Sequence, residues 1–549
     1  MPRKDGYTQY GYGCKEIEHI VIAEVKKMDI EINMDTAFAR PVSVELPISI
    51  EGVALPIPSY GDPVLWISGV LKRVGAKPPA INRATKRKLK TFVWKTCEKL
   101  FTPLAPTADI SPETWLEKAP YTASRKEQLK QNFYQNQGPC LLAQHRAVNG
   151  FMKNEPYIEP KCPRMINARS DYFKVLSGPL FQLISEEVFS NSWFIKKVPV
   201  EDRPKALMSL YSEGAKYIAT DYTAFESHFT KEIMTVIEFV LYKYMTLYHV
   251  EGRAIMNQII KVLGGNNTIR YKHGSVVVEA SRMSGEMNTS LGNGFTNLIL
   301  FLFVSWQKGA GKVIGFVEGD DGLFVVQNQD KAPTKEDFKT LGWTIKMDIH
   351  TDLNEASFCG QVFDKEDLIV VTDPRKVLAT FGWTSVRYVN ATEKTKLQLL
   401  RAKALSIAYQ YNGCPLLSKF ARKVIELTEN VNVNTKIIHG FEEHKQQILS
   451  RALKRMPIER ETRLPTRQLV EKLYSITIKQ QLDFEEALSN LKLYTRIEMY
   501  DILFPMAWSD NHTRFVRSGS QCLHPIPPTS KYIKYLISIK PELLHQLTV

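Results

Sequence analysis

The stretch that most constrains this 549-residue chain is "FVEGDDGLFVV", Phe316 to Val326. Two adjacent carboxylates, Asp320 and Asp321, sit between Gly319 and Gly322. The flanking runs, Val313 to Val317 and Leu323 to Val326, are β-branched and aromatic, as strands prefer. Glycines on both sides mark a tight reversal. The stretch predicts a hairpin with an acidic tip. Asp-Gly is also a common turn signal, so a solvated acidic turn satisfies the stretch taken alone. A functional tip needs a third carboxylate and something to hold. Clustered carboxylates suit Mg²⁺, a hard cation that takes oxygen ligands.

"KYIATDYTAFESHF" supplies that carboxylate. Lys216 to Thr220 reads as a short strand with Asp221 at its end. In "FTKEIMTVIEFVLYKYMTLY", Ile233, Ile237, Val240, Leu241 and Tyr244 share one helical face. An Asp in this place also serves as a helix N-cap. "SRMSGEMNTSLGNGFTNLILFLFVSW" begins at Ser284-Gly285 and turns helical, with Leu291, Phe295, Leu298, Leu302 and Trp306 at helical spacing. Thr289 and Asn293, four apart, lie on one face. Small polar groups beside a glycine suit a sugar edge, although capping and turn chemistry accounts for each singly.

A chain of this length is expected to split into several subdomains. Its net charge of +14 favours a polyanionic partner, nucleic acid first and an anionic membrane surface second. "INRATKRKLKTFVWKTCEKL" reads as a basic helix, either a solvated face or an RNA contact. Seven widely spaced cysteines with no C-x-x-C pair suggest a reduced intracellular chain without disulfides or a zinc ribbon. Cys522 and His524 lack a second pair of zinc ligands nearby. The start carries no apolar signal-peptide core, and the strongest apolar run, Leu298 to Trp306, is too short to span a bilayer. "QKGAGKV" lacks the first glycine and the Ser or Thr of a phosphate loop. Residues 113–150 are mostly helical in pattern, helices and strands alternate to about 373, and helices dominate beyond.

The order D-x-x-x-x-E (221–226), S-G-x-x-x-T-x-x-x-N (284–293) and G-D-D (319–321) resembles motifs A, B and C of viral RNA-dependent RNA polymerases. The likeness is greatest to tombusvirus-like and nodavirus-like positive-strand RNA viruses, over roughly residues 110–430. It implies an α+β right-hand fold with an antiparallel palm sheet and a mainly helical thumb. The parts would be an N-terminal extension (1–80), fingers (81–205 and 231–280), palm (206–230 with motif A, 281–373 with motifs B to E), and thumb with a C-terminal segment (374–549). The implied activity is RNA-directed RNA polymerase. It copies a viral RNA genome by two-metal-ion transfer of nucleotides from NTPs to an RNA 3′-hydroxyl, releasing pyrophosphate.

The resemblance carries roles residue by residue. Asp221 and Asp320 would hold two Mg²⁺ ions with Asp321 assisting, Mn²⁺ being a substitute. Glu226 and Asn293 would read the ribose 2′-hydroxyl, and Ser284 and Thr289 occupy their family positions. Glu226 is one methylene longer than the family's usual Asp. "KNEPYIEPKCPRMINARS" resembles motif F, with Lys153, Lys161 and Arg164 on the triphosphate and Arg169 a further candidate. A structural role for these arginines, paired with Glu155 or Glu159, stays open. "LGWTIKMD" resembles motif D, with Lys346 the general acid toward pyrophosphate or a surface lysine. "EASFCGQVF" (355–363) resembles the primer-gripping motif E, and Arg375 and Lys376 would touch product backbone.

Implied partners are RNA template and product, NTPs and other viral replicase subunits. The implied location is the host cytoplasm, in membrane-associated replication complexes reached through partners, with no transmembrane segment of the chain's own. No helicase, protease or capping motif is recognised. The segment from about 440, with "RLPTRQLVEKLYSITIKQQ" and "CLHPIPPTSKY", matches no motif and is expected to fold back toward the active site. Two other readings stand beside this one. A reverse transcriptase usually carries an aromatic and a variable residue before the Asp pair, where Gly319 stands here. A non-catalytic RNA-binding protein would have no need of all three carboxylates.

Overall fold

The computed structural model describes residues 27–30 and 43–50 and, with short interruptions of which 136–146 and 156–162 are the longest, 66–497. Its strands run β1 (Lys27–Ile30), β2 (Ser43–Glu45), β3 (Ile48–Ile50), β4 (Ala147–Met152), β5 (Met165–Arg169), β6 (Tyr217–Tyr222), β7 (Asn266–Tyr271) and β8 (Gly274–Glu279). They continue as β9 (Val313–Glu318), β10 (Asp321–Val326), β11 (Ile345–His350), β12 (Val362–Asp364), β13 (Ile369–Val371), β14 (Trp383–Ser385) and β15 (Thr495–Ile497).

Four strands form an antiparallel sheet in the order β11-β6-β10-β9. Successive strand side chains point to opposite faces. In β10, Phe324 and Val326 enter one core, while Leu323 and Val325 enter another. In β6, Ile218 joins the first core and Tyr217 and Ala219 the second. The first core also takes the helix Thr289–Lys308, whose Phe301 stacks on Phe324 with ring centroids 3.7 Å apart. Gly309, at φ +66°, ends this helix in the left-handed conformation glycine adopts without strain. The two central strands, β6 and β10, are buried on both faces and nearly continuously apolar, so their charged residues lie near the strand ends.

A second sheet of five strands, β1-β8-β7-β4-β5, is antiparallel except between β4 and β7. The strand-like runs before residue 80 are used across the chain: β1 edges this sheet, β2 pairs with β14 and β3 pairs with β15. Beyond residue 390 helices dominate, and Glu393–Gln410, Leu417–Leu427 and Glu443–Lys454 pack around one apolar core. "RLPTRQLVEKLYSITIKQQ" forms the helices Leu464–Tyr474 and Ile478–Ala487. Thr466 at the start of the first donates to the buried Asp367 carboxylate at 2.8 Å. Residues 498–549, with "CLHPIPPTSKY", Cys522 and His524, lie outside the described residues, as does Lys161.

The stretch after Asp221 departs from the sequence reading in one respect. It forms two helices, Lys231–Val236 and Glu238–Met245, broken at Ile237 (φ −115°, ψ −86°). Ile233, Ile237, Val240, Leu241 and Tyr244 are nevertheless all buried. The N-cap of the first helix is Thr230, so Asp221 is not spent on capping.

His228, between these elements, stacks on Trp343 with centroids 5.0 Å apart. Its Nε2 accepts the Thr344 backbone N–H at 3.1 Å, which requires the neutral ring. Burial pushes its pKa down to about 4. The unfolded chain, with an ordinary histidine pKa of about 6.5, takes up the proton first. This neutral histidine therefore stabilises the fold fully above about pH 6.5, and the contribution is lost as pH falls toward 4. The stability gap between the native protein and His228→Asn, measured by denaturant unfolding, should narrow by about 2 kcal/mol from about pH 7.5 to pH 5. A gap that is constant with pH contradicts this reading.

Candidate active site

The acidic turn lies where β9 hands over to β10, with Asp321 opposite Glu318 in register. Gly319 holds φ +58°, and the space where a Cβ would stand is open, so it is the backbone conformation and not crowding that favours glycine there. The turn is held from beneath by Asn297, which is fully buried on the Thr289–Lys308 helix. Its amide nitrogen donates to the carbonyls of Gly319 (3.2 Å) and Asp321 (2.9 Å). The sequence reading stopped at Asn293 and missed Asn297. The signal was present: Thr289, Asn293 and Asn297 repeat every four residues on one helix face.

Register places the third carboxylate beside the turn. Thr220 of β6 faces Gly322 of β10, so Asp221 follows at the same end of the sheet. On its other side Asp221 is opposite Lys346 of β11, the cross-strand position where side chains interact directly. The Lys346 side chain is exposed and makes no hydrogen bond with a described residue. Partial desolvation raises the Asp221 carboxyl, and Lys346 opposes that rise. Burial, then Glu226 and Asp221, push Asp320 up to about 6. Burial, then Asp320, Asp221 and Glu318, push Asp321 up to about 7. In all three, burial comes first, and for Asp320 and Asp321 the neighbouring like charges add to it.

Glu226 is turned back beside this cluster by a left-handed Ala224 (φ +50°) and the short helix Phe225–His228. Its carboxylate takes a hydrogen bond from Arg73 at 3.0 Å. Burial would raise its pKa, but Arg73, with Arg164 further off, outweighs it and holds the group below the usual range. Asn293 does not bond Glu226. Its Oδ1 accepts from Nε of Arg282 at 3.1 Å. Arg282 and Glu238 form an ion pair that is fully buried, and Tyr242 and Asn288 extend the network from Glu238. A Cβ at position 292 would collide with both ions of this pair, which explains Gly292.

The loop before the helix is seated on β5. Ser284 Oγ donates to the Met165 carbonyl at 2.8 Å, and the Gly285 N–H to the Asn167 carbonyl at 2.9 Å. Thr289 Oγ1 lies 3.0 Å from the carbonyls of both Met283 and Glu286. Ser284 and Thr289, both half-buried, thus fix the loop. Ala280 (φ +53°) and Ser281 (φ +72°) enter it in left-handed conformations. Such strain in non-glycine residues concentrates where a chain is held for function.

Among the basic candidates, Lys153 and Arg164 both pair with Glu155, at 2.9 and 3.7 Å. The charge of Arg164 also acts on Glu226 and Asp320, which sets it near the acidic cluster. Arg169 is a correction. It is buried, paired with Glu286, and donates to Asn267 at 2.9 Å, so it braces the fold instead of facing a triphosphate. Arg375 is held by the Asp373 carboxylate at 3.0 Å, while Lys376 is exposed. In 355–363, Phe358 and Gln361 form a tight bridged turn with Cys359 at φ +55°. Beside it opens a cleft of about 430 Å³ lined in part by Lys196, Arg203, Glu318 and Arg451.

Residues 78–496 match the family described as viral RNA dependent RNA polymerase, and the chain belongs to that family. Three curated relatives carry the name RNA-directed RNA polymerase. That of Striped jack nervous necrosis virus is 25% identical over 260 residues, which is 44% of this chain and 25% of that protein. That of Carnation mottle virus is 23% identical over 311 residues, 53% of this chain and 39% of the relative. That of Oat chlorotic stunt virus is 22% identical over 314 residues, 51% and 40%. The matched part therefore spans from a quarter to two-fifths of these relatives' own length.

The Asn297 clamp gives a prediction of its own. Asn297→Ala leaves two carbonyls without their donor and should lower the unfolding free energy by about 1–3 kcal/mol. Asn297→Asp keeps the shape but turns only acceptors toward the carbonyls, and should cost at least as much. Denaturant unfolding measures both, and an Asp variant as stable as the native protein contradicts the clamp.

Proposed function

We propose that the chain is an RNA-directed RNA polymerase that joins NTPs to an RNA 3′-hydroxyl, and that Asp221, Asp320 and Asp321 form its reaction centre. The observation that carries this is the strand register, which sets Asp221 beside the acidic turn with Lys346 on its other flank. Family membership implies a right-hand fold. Within it we assign the four-stranded sheet to the palm, the five-stranded sheet to the fingers and the helices after residue 374 to the thumb.

The donor set suits Mg²⁺ or Mn²⁺: three carboxylates, all oxygen ligands, two of them pushed up by burial and by each other. As they stand, no three Asp, Glu, His or Cys side chains among the described residues form a group that could hold a metal ion. The three carboxylates would have to close on the ion as it binds, with water and substrate phosphates as further ligands, as is usual for Mg²⁺. When bound, such ions supply Lewis acidity at the phosphoryl oxygens and at the attacking hydroxyl.

The chain's own residues do the rest. Lys346, opposite Asp221 on β11, would deliver a proton to the departing pyrophosphate. Arg164 and Lys153, now on Glu155, would exchange that carboxylate for the triphosphate, the role that the family resemblance also implies for Lys161. Arg282 occupies the amide oxygen of Asn293, leaving the amide nitrogen to donate to the ribose 2′-hydroxyl. Glu226, kept ionised by Arg73, would accept the hydroxyl proton. Ser284 and Thr289 position the loop that carries this reader.

RNA template and product and NTPs are the partners of this reaction. No helix among the described residues is long and apolar enough to cross a membrane. We assign attachment to host membranes to other replicase subunits. The test is nucleotide incorporation on a primed RNA template with Mg²⁺ or Mn²⁺. Asp320→Asn should keep the fold and lose more than about a hundredfold in rate, since several kcal/mol of charge stabilisation are at stake. Full incorporation by the variant overturns the assignment.

A further inference from the structure

The basic helix that the sequence left ambiguous is Arg83–Leu100. It buries Leu89, Val93, Thr96 and Cys97 and turns its cations outward. Arg87, Lys88, Lys95 and Lys99 line one side of a groove of about 860 Å³, and Lys312 stands on the other side. All five are exposed, and none forms an ion pair with a described residue. No Asp or Glu lines the groove. The one acid of the helix, Glu98, accepts from the Trp94 indole at 2.8 Å.

The groove also has aromatic walls. Trp306 is 59% exposed, an unusual state for so large an apolar side chain. It lies 5.5 Å from Phe92, and Trp193 completes the lining. The groove opens beside Val313, the end of β9 remote from the acidic turn. Val313 to Glu318 spans roughly 17 Å of strand, so this is a separate place on the molecule.

We propose that this groove is a second nucleic-acid site that takes single-stranded RNA. Unpaired cations in a row attract a phosphate backbone, and exposed aromatic faces stack bases irrespective of sequence. A solvated helix face has no need of an exposed tryptophan opposite it. A lipid surface meets protruding residues, whereas these cations line a concavity. The site lies apart from the reaction centre and does not depend on catalysis. It gives a polymerase a hold on the strand outside the cleft.

The experiment titrates a labelled oligouridine against the full chain by fluorescence anisotropy, over a range of salt. The native protein should bind two equivalents. Lys88→Gln/Lys95→Gln/Lys99→Gln should bind one tightly, weaken the other about tenfold, and flatten the slope of log K against log salt by about 2 for that site. Trp306→Ala should weaken the same site about tenfold with little change in slope. The same losses in an Asp320→Asn background separate the groove from the reaction centre. Circular dichroism checks the fold, and the lysine variant decides alone if Trp306→Ala does not fold. Unchanged stoichiometry and slope in the lysine variant overturn the proposal. So does loss of binding to phosphatidylserine vesicles with RNA binding intact, which would give the groove to a membrane.

Discussion

The central strands β6 and β10 meet apolar cores on both faces and admit charge only near their ends, and the rest of this molecule is organised by that constraint. Tyr217 to Thr220 and Leu323 to Val326 are consumed in packing. Asp221, Asp320 and Asp321 are therefore expelled to one edge together. Burial first, and then their mutual repulsion, raises the carboxyl groups of Asp320 and Asp321 there. The fold holds them in place by apolar packing, by Phe301 against Phe324, and by the Asn297 clamp under the turn.

The neighbouring loop, residues 280–288, is held differently. The Arg282–Glu238 pair lies beneath it with neither side chain exposed, and Arg282 also sits over the Phe229 ring at 4.4 Å. A buried ion pair is seldom a net gain in stability, because both ions give up their water. Its value here is directional: it fixes which end of the Asn293 amide faces the site. Arg169 with Glu286 braces the other side of the loop in the same way. Two buried pairs and two left-handed residues, Ala280 and Ser281, over-determine one short loop.

Much of this was legible in the sequence where the signal was local. The alternation and glycines of "FVEGDDGLFVV" give the hairpin, and the four-residue repeats give the long helix after Asn288. Arg169 was misread because it lies in a basic run. Yet Met165, Asn167 and Arg169 share the buried face of β5, and the alternation pointed inward. Arg73 carried no signal, since its partner Glu226 is 153 residues away. The same holds for β2 and β3, which pair with strands more than three hundred residues on. Contacts of that range are written in no local pattern. The break at Ile237 also has no glycine or proline to announce it.

The central claim is that the fold gathers carboxylates against their own repulsion so that a divalent cation can relieve it. The most direct test is thermal unfolding of the native protein and Asp320→Asn at about pH 8, with and without Mn²⁺. Without the ion, the variant should melt higher, because one buried charge and its repulsions are gone. With Mn²⁺, the native protein should gain more than the variant, since a ligand that binds only the folded state raises its stability. A variant that melts lower without the ion, together with equal gains on adding Mn²⁺, would contradict the account.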